Sequence, residues 1–204
     1  MHPSALIRGN WFFQAYAMNN ALVVDIGAQD VNGSLRELSL PHYTYIGVDF
    51  VQGRGVDVVL EDPYKLPFSD GSVDIVVSSS CFEHSEMFWV LFLEILRILK
   101  PSGLFYLSAP SAGPFHRYPV DCWRFYPDSG NALVAWAKRN QYSPIVLESF
   151  TGRMDVWNDY VAVFLKDAGH IHLYPDRMLL RFGAHPFDHG YVVNPVSLSP
   201  PAPE

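Results

Sequence analysis

Two cysteines in 204 residues, Cys81 and Cys122, are too few for a disulfide framework, and neither lies in a Cys-x-x-Cys pair. Reduced thiols in a cytoplasmic protein are the expectation. Charge is scarce as well. Asp, Glu, Lys and Arg make up 17% of the chain and the formal net charge is -7. Such a chain offers no basic surface to a phosphate backbone, and nucleic acid is not an expected partner. Long apolar runs are missing: the nearest, Met87 to Leu93, ends at Glu94 and falls short of the roughly 18 residues a membrane span needs. The first residues lack a basic region followed by an apolar core, so neither a membrane nor a secretory route is expected. Gly-x-Gly-x-x-Gly is also absent, which argues against a nicotinamide dinucleotide.

What the chain does have is apolar material, 49% hydrophobic and 15% aromatic, enough for one sizeable core. A single domain over 1–204 is expected, with its core at about 21–166, a helical cover at 1–20 and a loop-rich wrap at 167–204. The central stretch is Ala21-Leu22-Val23-Val24-Asp25-Ile26-Gly27-Ala28-Gln29-Asp30. An apolar run that ends at an acid and a glycine reads as a buried parallel strand delivering its C-terminal end to a ligand. A carboxylate there can accept from an amine or hydroxyl, and Gly27 lets the backbone approach closely.

The pattern recurs along the chain. Tyr43 to Val48 reads as a strand ending in Asp49, an acid placed to receive two hydroxyls of a ribose. Val56 to Leu60 reads as a third, ending in Glu61-Asp62, after a glycine-rich and abbreviated crossover. Asn32 to Leu38 fits a short helix. Val73 to Val77 is a fourth strand running into Ser78-Ser79-Ser80-Cys81-Phe82-Glu83-His84. Ser85 can cap the helix that follows, where Phe88, Leu91, Phe92, Ile95, Leu96 and Leu99 share a face. Trp89, Val90 and Leu93 lie off that face, so the tail or a second subunit, hence a homodimer, is expected to cover them. Leu104 to Ala109 is a fifth strand, Asp128 to Arg139 a helix, and Ile145 to Phe150 and Tyr160 to Leu165 two further strands, the last antiparallel.

In this order the pieces resemble the class I S-adenosylmethionine-dependent methyltransferases, and within them the type-11 methyltransferase family. The resemblance rests on Val23-Val24-Asp25-Ile26-Gly27-Ala28, Gly47-Val48-Asp49, Asp62 with Leu66-Pro67-Phe68, Asp70 to Val77, Phe82-Glu83-His84 and Ile98-Leu99-Lys100-Pro101-Ser102-Gly103-Leu104. It covers about Leu22 to Ser108. It implies an α/β, Rossmann-like, doubly wound and mostly parallel sheet of seven strands with helices on both faces. It further implies S-adenosylmethionine as cofactor. Asp25, Ile26, Gly27, Ala28 and Gln29 would wrap the methionine part, and Asp49 would hold the ribose with Phe50 beside it. Asp62 would reach the adenine amine, while Ser79 and Ser80 would flank the methionine. All the polar groups so received are donors, which acceptors at strand tips suit. One departure stands out: the family continues with more glycines where this chain has Gln29, Asp30 and Val31.

On the acceptor side, the segment around Asp121-Cys122-Trp123-Arg124-Phe125-Tyr126-Pro127 resembles one found in type-11 members encoded with sugar-nucleotide enzymes. A glycan-related or other small-molecule acceptor, methylated at oxygen, is the resulting expectation. His116 and Asp121 are the candidates to take its proton, since neutral His is a competent base near pH 7. The rival role for Asp121, a salt bridge to Arg124 or Arg117, is the favoured one. The competing reading for the whole chain is a methyltransferase-like binding or scaffold protein without turnover, suggested by the bulky loop at Gln29 to Val31. His170, His172, His185, Asp188 and His189 invite a metal, but no His and carboxylate grouping stands near the cofactor motifs, and no metal is assigned.

Overall fold

The computed structural model describes residues 2–183 and 189–193. A sheet of eight strands runs through it: β1 (Leu22–Ile26), β2 (Thr44–Asp49), β3 (Val58–Val59), β4 (Val73–Ser79), β5 (Leu99–Ala112), β6 (Ile145–Met154), β7 (Trp157–Leu165) and β8 (His189–Val192). Their spatial order is β3-β2-β1-β4-β5-β7-β6-β8. β1 to β5 are parallel to one another, and β7 enters antiparallel between β5 and β6.

Side chains alternate across this sheet, as the pleat requires. Val24, Ile26, Val48, Val76, Phe105 and Leu107 face one side, where α2 (Phe88–Ile98) and α3 (Ser129–Arg139) cover them with Phe92, Ile95, Leu96, Leu133 and Ala137. Val23, Ile75, Val77, Leu104, Tyr106 and Val163 face the other, under Phe12, Phe13 and Tyr16 from α1 (Pro3–Ala15) and its C-cap, and Met178 of α4 (Met178–Phe182). The expected helices on both faces are therefore borne out. Buried Glu148 of β6 fastens the second layer by accepting from the Tyr16 hydroxyl (2.6 Å) and from the N–H groups of Met178 (2.7 Å) and Leu179 (3.1 Å) at the start of α4.

Several expectations need correction. The sheet has eight strands where seven were expected: β8, in the stretch read as a wrap, pairs antiparallel with β6 and covers an edge that would otherwise be open. Gly190 lets it do so, since a Cβ there would stand 2.2 Å from the Ser149 carbonyl oxygen. Asn32 to Leu38 gives only a 3-10 turn, Leu35–Leu38, started by Ser34, whose Oγ accepts from the Arg36 N–H. Ladder pairing in the third strand is confined to Val58–Val59, because Val56 closes a turn onto Gly53. Ser85 does not cap α2; the N-cap is Met87, without a side-chain hydrogen bond. Trp89 packs edge-on against Trp123, and its carbonyl accepts from Trp136 Nε1 in α3.

Candidate active site

β1 and β4 lie side by side with their next partners on opposite flanks, so the crossovers diverge at their C-terminal tips and leave a crevice there. Gly27 opens it. Its φ of +79° takes the chain sharply off β1, and a Cβ would stand 2.5 Å from that of Cys81. The N–H groups of Gly27 and Ala28 both donate to the Val48 carbonyl, at 3.0 and 3.1 Å, tying this turn to β2. Ile26 and Ala28 are buried, and Ser78 Oγ donates to the Ile26 carbonyl at 3.0 Å.

Two acids meet at the tips. Asp25 is 4% exposed and accepts from the Tyr45 hydroxyl at 2.8 Å. Burial pushes its pKa up to about 7, with Tyr45 and Arg36 pulling the other way and the neighbouring Asp49 adding to the rise. Asp49 gives one oxygen to the Gln29 N–H and the other to the Val51 N–H, each at 3.1 Å. It thus clamps the loops after β1 and β2 together while keeping further lone pairs free. Phe50 stands exposed beside it. Ser79 is buried at the tip of β4, and its Oγ has no hydrogen-bond partner among the described residues. Ser80 follows at φ 54° and is exposed, its N–H donating to the Ser108 carbonyl at 2.9 Å.

Asp62 stands differently. It is exposed, its Oδ1 accepts from the Tyr64 N–H at 2.8 Å and so closes its own turn, and no hydrogen bond or ion pair among the described residues joins it to Asp25 or Asp49.

The missing glycines of the first loop have counterparts across the crevice. A Cβ on Gly53 would stand 2.7 Å from Gln29 Nε2, one on Gly55 2.7 Å from the Ala28 carbonyl oxygen, and one on Gly47 2.8 Å from Ala28 Cβ. The β2–β3 segment makes the room that Gln29 takes up. Gln29 Oε1 then accepts from the Tyr118 hydroxyl at 2.9 Å, which links the loop after β5 to the loop after β1.

That long loop is stitched to the 3-10 turn Phe82–His84. The N–H groups of Cys122 and Trp123 donate to the Glu83 carbonyl, and His84 Nδ1 donates to the Val120 carbonyl. Arg124 grips both oxygens of Asp121, at 2.5 and 2.8 Å, and Asp121 also accepts from the His116 N–H at 2.7 Å. The guanidinium holds the Asp121 carboxyl far below the usual carboxylate range. Asp121 therefore occupies the salt-bridge role, with Arg124 as partner. The His116 ring sits between His84 and Trp157, edge-on to both at centroid distances of 4.9 and 5.1 Å, with its side chain 35% exposed. Glu83, 1% exposed, lies beside them with its pKa pushed by burial up to about 8. Burial likewise lowers His84.

Trp123 and Phe125 of this loop pack away from the strand tips. Phe125 is core, stacked on Tyr160, and Trp123 lines a separate aromatic cavity of about 390 Å³ with Phe88, Trp89 and Trp136. None of the lining residues of that cavity is a strand-tip residue. His185 and Asp188 of the tail grouping lie outside the described residues.

The sequence profile of the methyltransferase domain family, type 11, matches residues 13–107, from the end of α1 through most of β5. Over this segment, just under half of the chain, the sequence is similar to the type-11 methyltransferase domain. Similar curated proteins include an uncharacterized methyltransferase of Mycolicibacterium gilvum, 51% identical over 80 residues, which are 39% of this chain and 31% of that protein. Another, from Mycobacterium tuberculosis, is 51% identical over 64 residues, 31% of this chain and 25% of its own length. The chain thus spans a third or less of these relatives. Among solved structures, the 1,6-didemethyltoxoflavin-N1-methyltransferase of Burkholderia thailandensis, with its substrate and S-adenosylhomocysteine bound, superposes with a TM-score of 0.59 at 16% identity, covering 80% of this chain and 79% of that one. The YcgJ protein of Bacillus subtilis gives 0.60 at 16% identity, over 82% and 100%. The [4+2]-cyclase SpnF gives 0.59 at 12%, over 79% and 81%. These likenesses bear out the expected α/β, Rossmann-like fold. Among the described residues no helix is long and apolar enough to cross a membrane.

Proposed function

We propose that this chain is an S-adenosylmethionine-dependent methyltransferase acting on an oxygen of a small, sugar-like acceptor. The observation that carries the reading is the buried Ser79 Oγ, unpartnered among the described residues at the tip of β4, across a glycine turn from Asp49 on β2. A buried hydroxyl without a partner is costly unless a ligand completes it. The donor set fits: the cofactor brings an ammonium, two ribose hydroxyls and an exocyclic amine, and the tips offer hydroxyl and carboxylate oxygens to receive them.

In this reading Gly27, Ala28 and Gln29 curve around the methionine portion with Ser79 and Ser80 flanking it, Asp49 holds the ribose, and Phe50 lies along the adenine. Asp62 receives the adenine amine with the oxygen that its own turn leaves free. Asp25, held by Tyr45, fixes the tip of β1 beneath them. When bound, the cofactor supplies an electrophilic methyl group on a sulfonium. The chain contributes alignment, exclusion of water and removal of the acceptor proton. His116 takes that proton, and Asp121 serves by receiving the His116 backbone N–H and anchoring Arg124. The exposed rings of Phe115 and Tyr118 around this loop suit the apolar face of a sugar.

The test is calorimetry with S-adenosylmethionine and its demethylated product, followed by labelled methyl transfer to a panel of sugars and hydroxylated metabolites. Binding with turnover on a hydroxyl supports the reading. Binding without product across the panel favours a scaffold, and no binding by a folded chain refutes both.

A further inference from the structure

Glu83, His84 and His116 reach one point from two different segments, the turn after β4 and the loop after β5. One ligand atom from each lies within 4.8 Å of the others. How the rings are tied decides which atoms face that point. His84 Nδ1 bonds the Val120 carbonyl, and a carbonyl only accepts, so in neutral His84 the proton is on Nδ1 and Nε2 carries a lone pair. That Nε2 lies 3.7 Å from Glu83 Oε1. His116 Nδ1 lies 3.2 Å from the Pro114 carbonyl oxygen, which leaves its Nε2 as a second lone pair. Imidazoles whose far nitrogen is held by a carbonyl are arranged as metal ligands commonly are.

Glu83 gives the second, independent observation. It is almost wholly buried, and its Oε2 has no hydrogen bond to any described residue. Arg124, the cation that acts on Glu83 through space, is itself bound to Asp121. A buried carboxyl facing imidazole lone pairs offers a cation three ligand atoms in exchange for the carboxyl proton, which metal binding releases.

We propose that Glu83, His84 and His116 form a site for one divalent transition-metal ion of the zinc class, at the mouth of the strand-tip crevice. Two nitrogens and one carboxylate suit Zn²⁺ or Co²⁺ over Mg²⁺, which prefers oxygen alone and near-ideal octahedra. With bonds of about 2.1 Å at tetrahedral angles, ligand atoms sit roughly 3.4 Å apart, so His116, the most exposed of the three, moves in by up to about 1.4 Å. Three protein ligands leave a coordination position open. An acceptor hydroxyl entering that position has its pKa lowered and loses its proton to solvent, and His116 is then a ligand, its role as base belonging to the metal-free protein.

The site does not depend on the methyl-transfer reading, because metal binding is read on the protein alone and cofactor binding separately. The experiment is titration of the metal-free full chain with Zn²⁺ by calorimetry and with Co²⁺ by visible absorption. One ion per chain with a Kd in the micromolar range or tighter is expected, together with cobalt bands of a four- or five-coordinate centre. Glu83→Gln, His84→Ala and His116→Ala should each weaken Zn²⁺ binding by 10-fold or more, while His172→Ala and His189→Ala leave it unchanged. Because Glu83 is buried and its variant risks misfolding, His116→Ala at the partly exposed position decides on its own. Absence of binding, or binding insensitive to His116→Ala and lost in the tail variants, overturns the proposal.

Discussion

Replacing Asp49 by alanine removes two kinds of interaction with different readouts. In the protein alone the carboxylate accepts from the N–H groups of Gln29 and Val51. Hydrogen bonds to a charged group contribute about 1.5–3 kcal/mol each, so Asp49→Ala should lower stability by on the order of 3 kcal/mol, some of which solvent at this tip will restore. With cofactor bound, the same carboxylate receives ribose hydroxyls. Losing those bonds should weaken S-adenosylhomocysteine binding by a further ~3 kcal/mol, more than 100-fold in Kd. Asp49→Asn separates the two. It keeps one oxygen acceptor for the loops and loses the charge, so it should recover most of the stability while binding stays at least about 10-fold weaker. Thermal unfolding measures the first effect and calorimetry the second. If Asp49→Asn binds like the parent, or Asp49→Ala loses stability without affinity, Asp49 is a loop clamp and has no part in recognition.

Asp25 makes stability depend on pH in an unusual direction. Its pKa is about 7 in the folded chain against an ordinary 3.8, so between these values the folded state keeps a proton that the unfolded state has released. Stability from this group is full below about pH 4, falls as pH rises and is flat above about 7, a loss on the order of 4 kcal/mol. In Asp25→Asn, denaturant unfolding from pH 4 to 8 should show a shallower decline; an unchanged slope would contradict the assigned burial. Gly27→Ala should be among the most damaging single substitutions, by several kcal/mol, because φ of +79° and the contact with Cys81 both oppose a side chain. A melting temperature within a few degrees of the parent would refute that. In metal-free protein, His116→Ala should cut methyl transfer about 100-fold or more with cofactor affinity near unchanged, and parental rates would remove His116 from the chemistry.

The parts of this fold legible in the sequence are those written locally. Apolar runs ending in Asp25 and Asp49, with Gly27 between strand and turn, marked β1, β2 and the crevice between them. β8 was illegible because its pairing depends on the edge that β6 leaves open and on Gly190, and a four-residue strand carries little periodicity of its own. The Gln29 departure looked like an obstruction since the glycines that accommodate it, Gly47, Gly53 and Gly55, sit in another segment. Asp121 showed its nature early, because Arg124 stands three residues on and pairs with it. The grouping of Glu83 and His84 with His116 spans more than thirty positions and two loops, and spacing alone could not reveal it. Glu83 stood in the quoted Phe82-Glu83-His84 segment, but its burial, which makes it chemically unusual, arises only when the loop after β5 closes over it.

The central claim is that the tips of β1, β2 and β4 form one cofactor site facing the loop after β5. A crystal structure of the chain with S-adenosylhomocysteine tests it most directly. The account predicts the ribose hydroxyls within hydrogen-bond distance of Asp49, a donor of the methionine portion on Ser79 Oγ, and the sulfur directed toward His116. Cofactor bound elsewhere on the sheet, with Asp49 and Ser79 untouched, would contradict it.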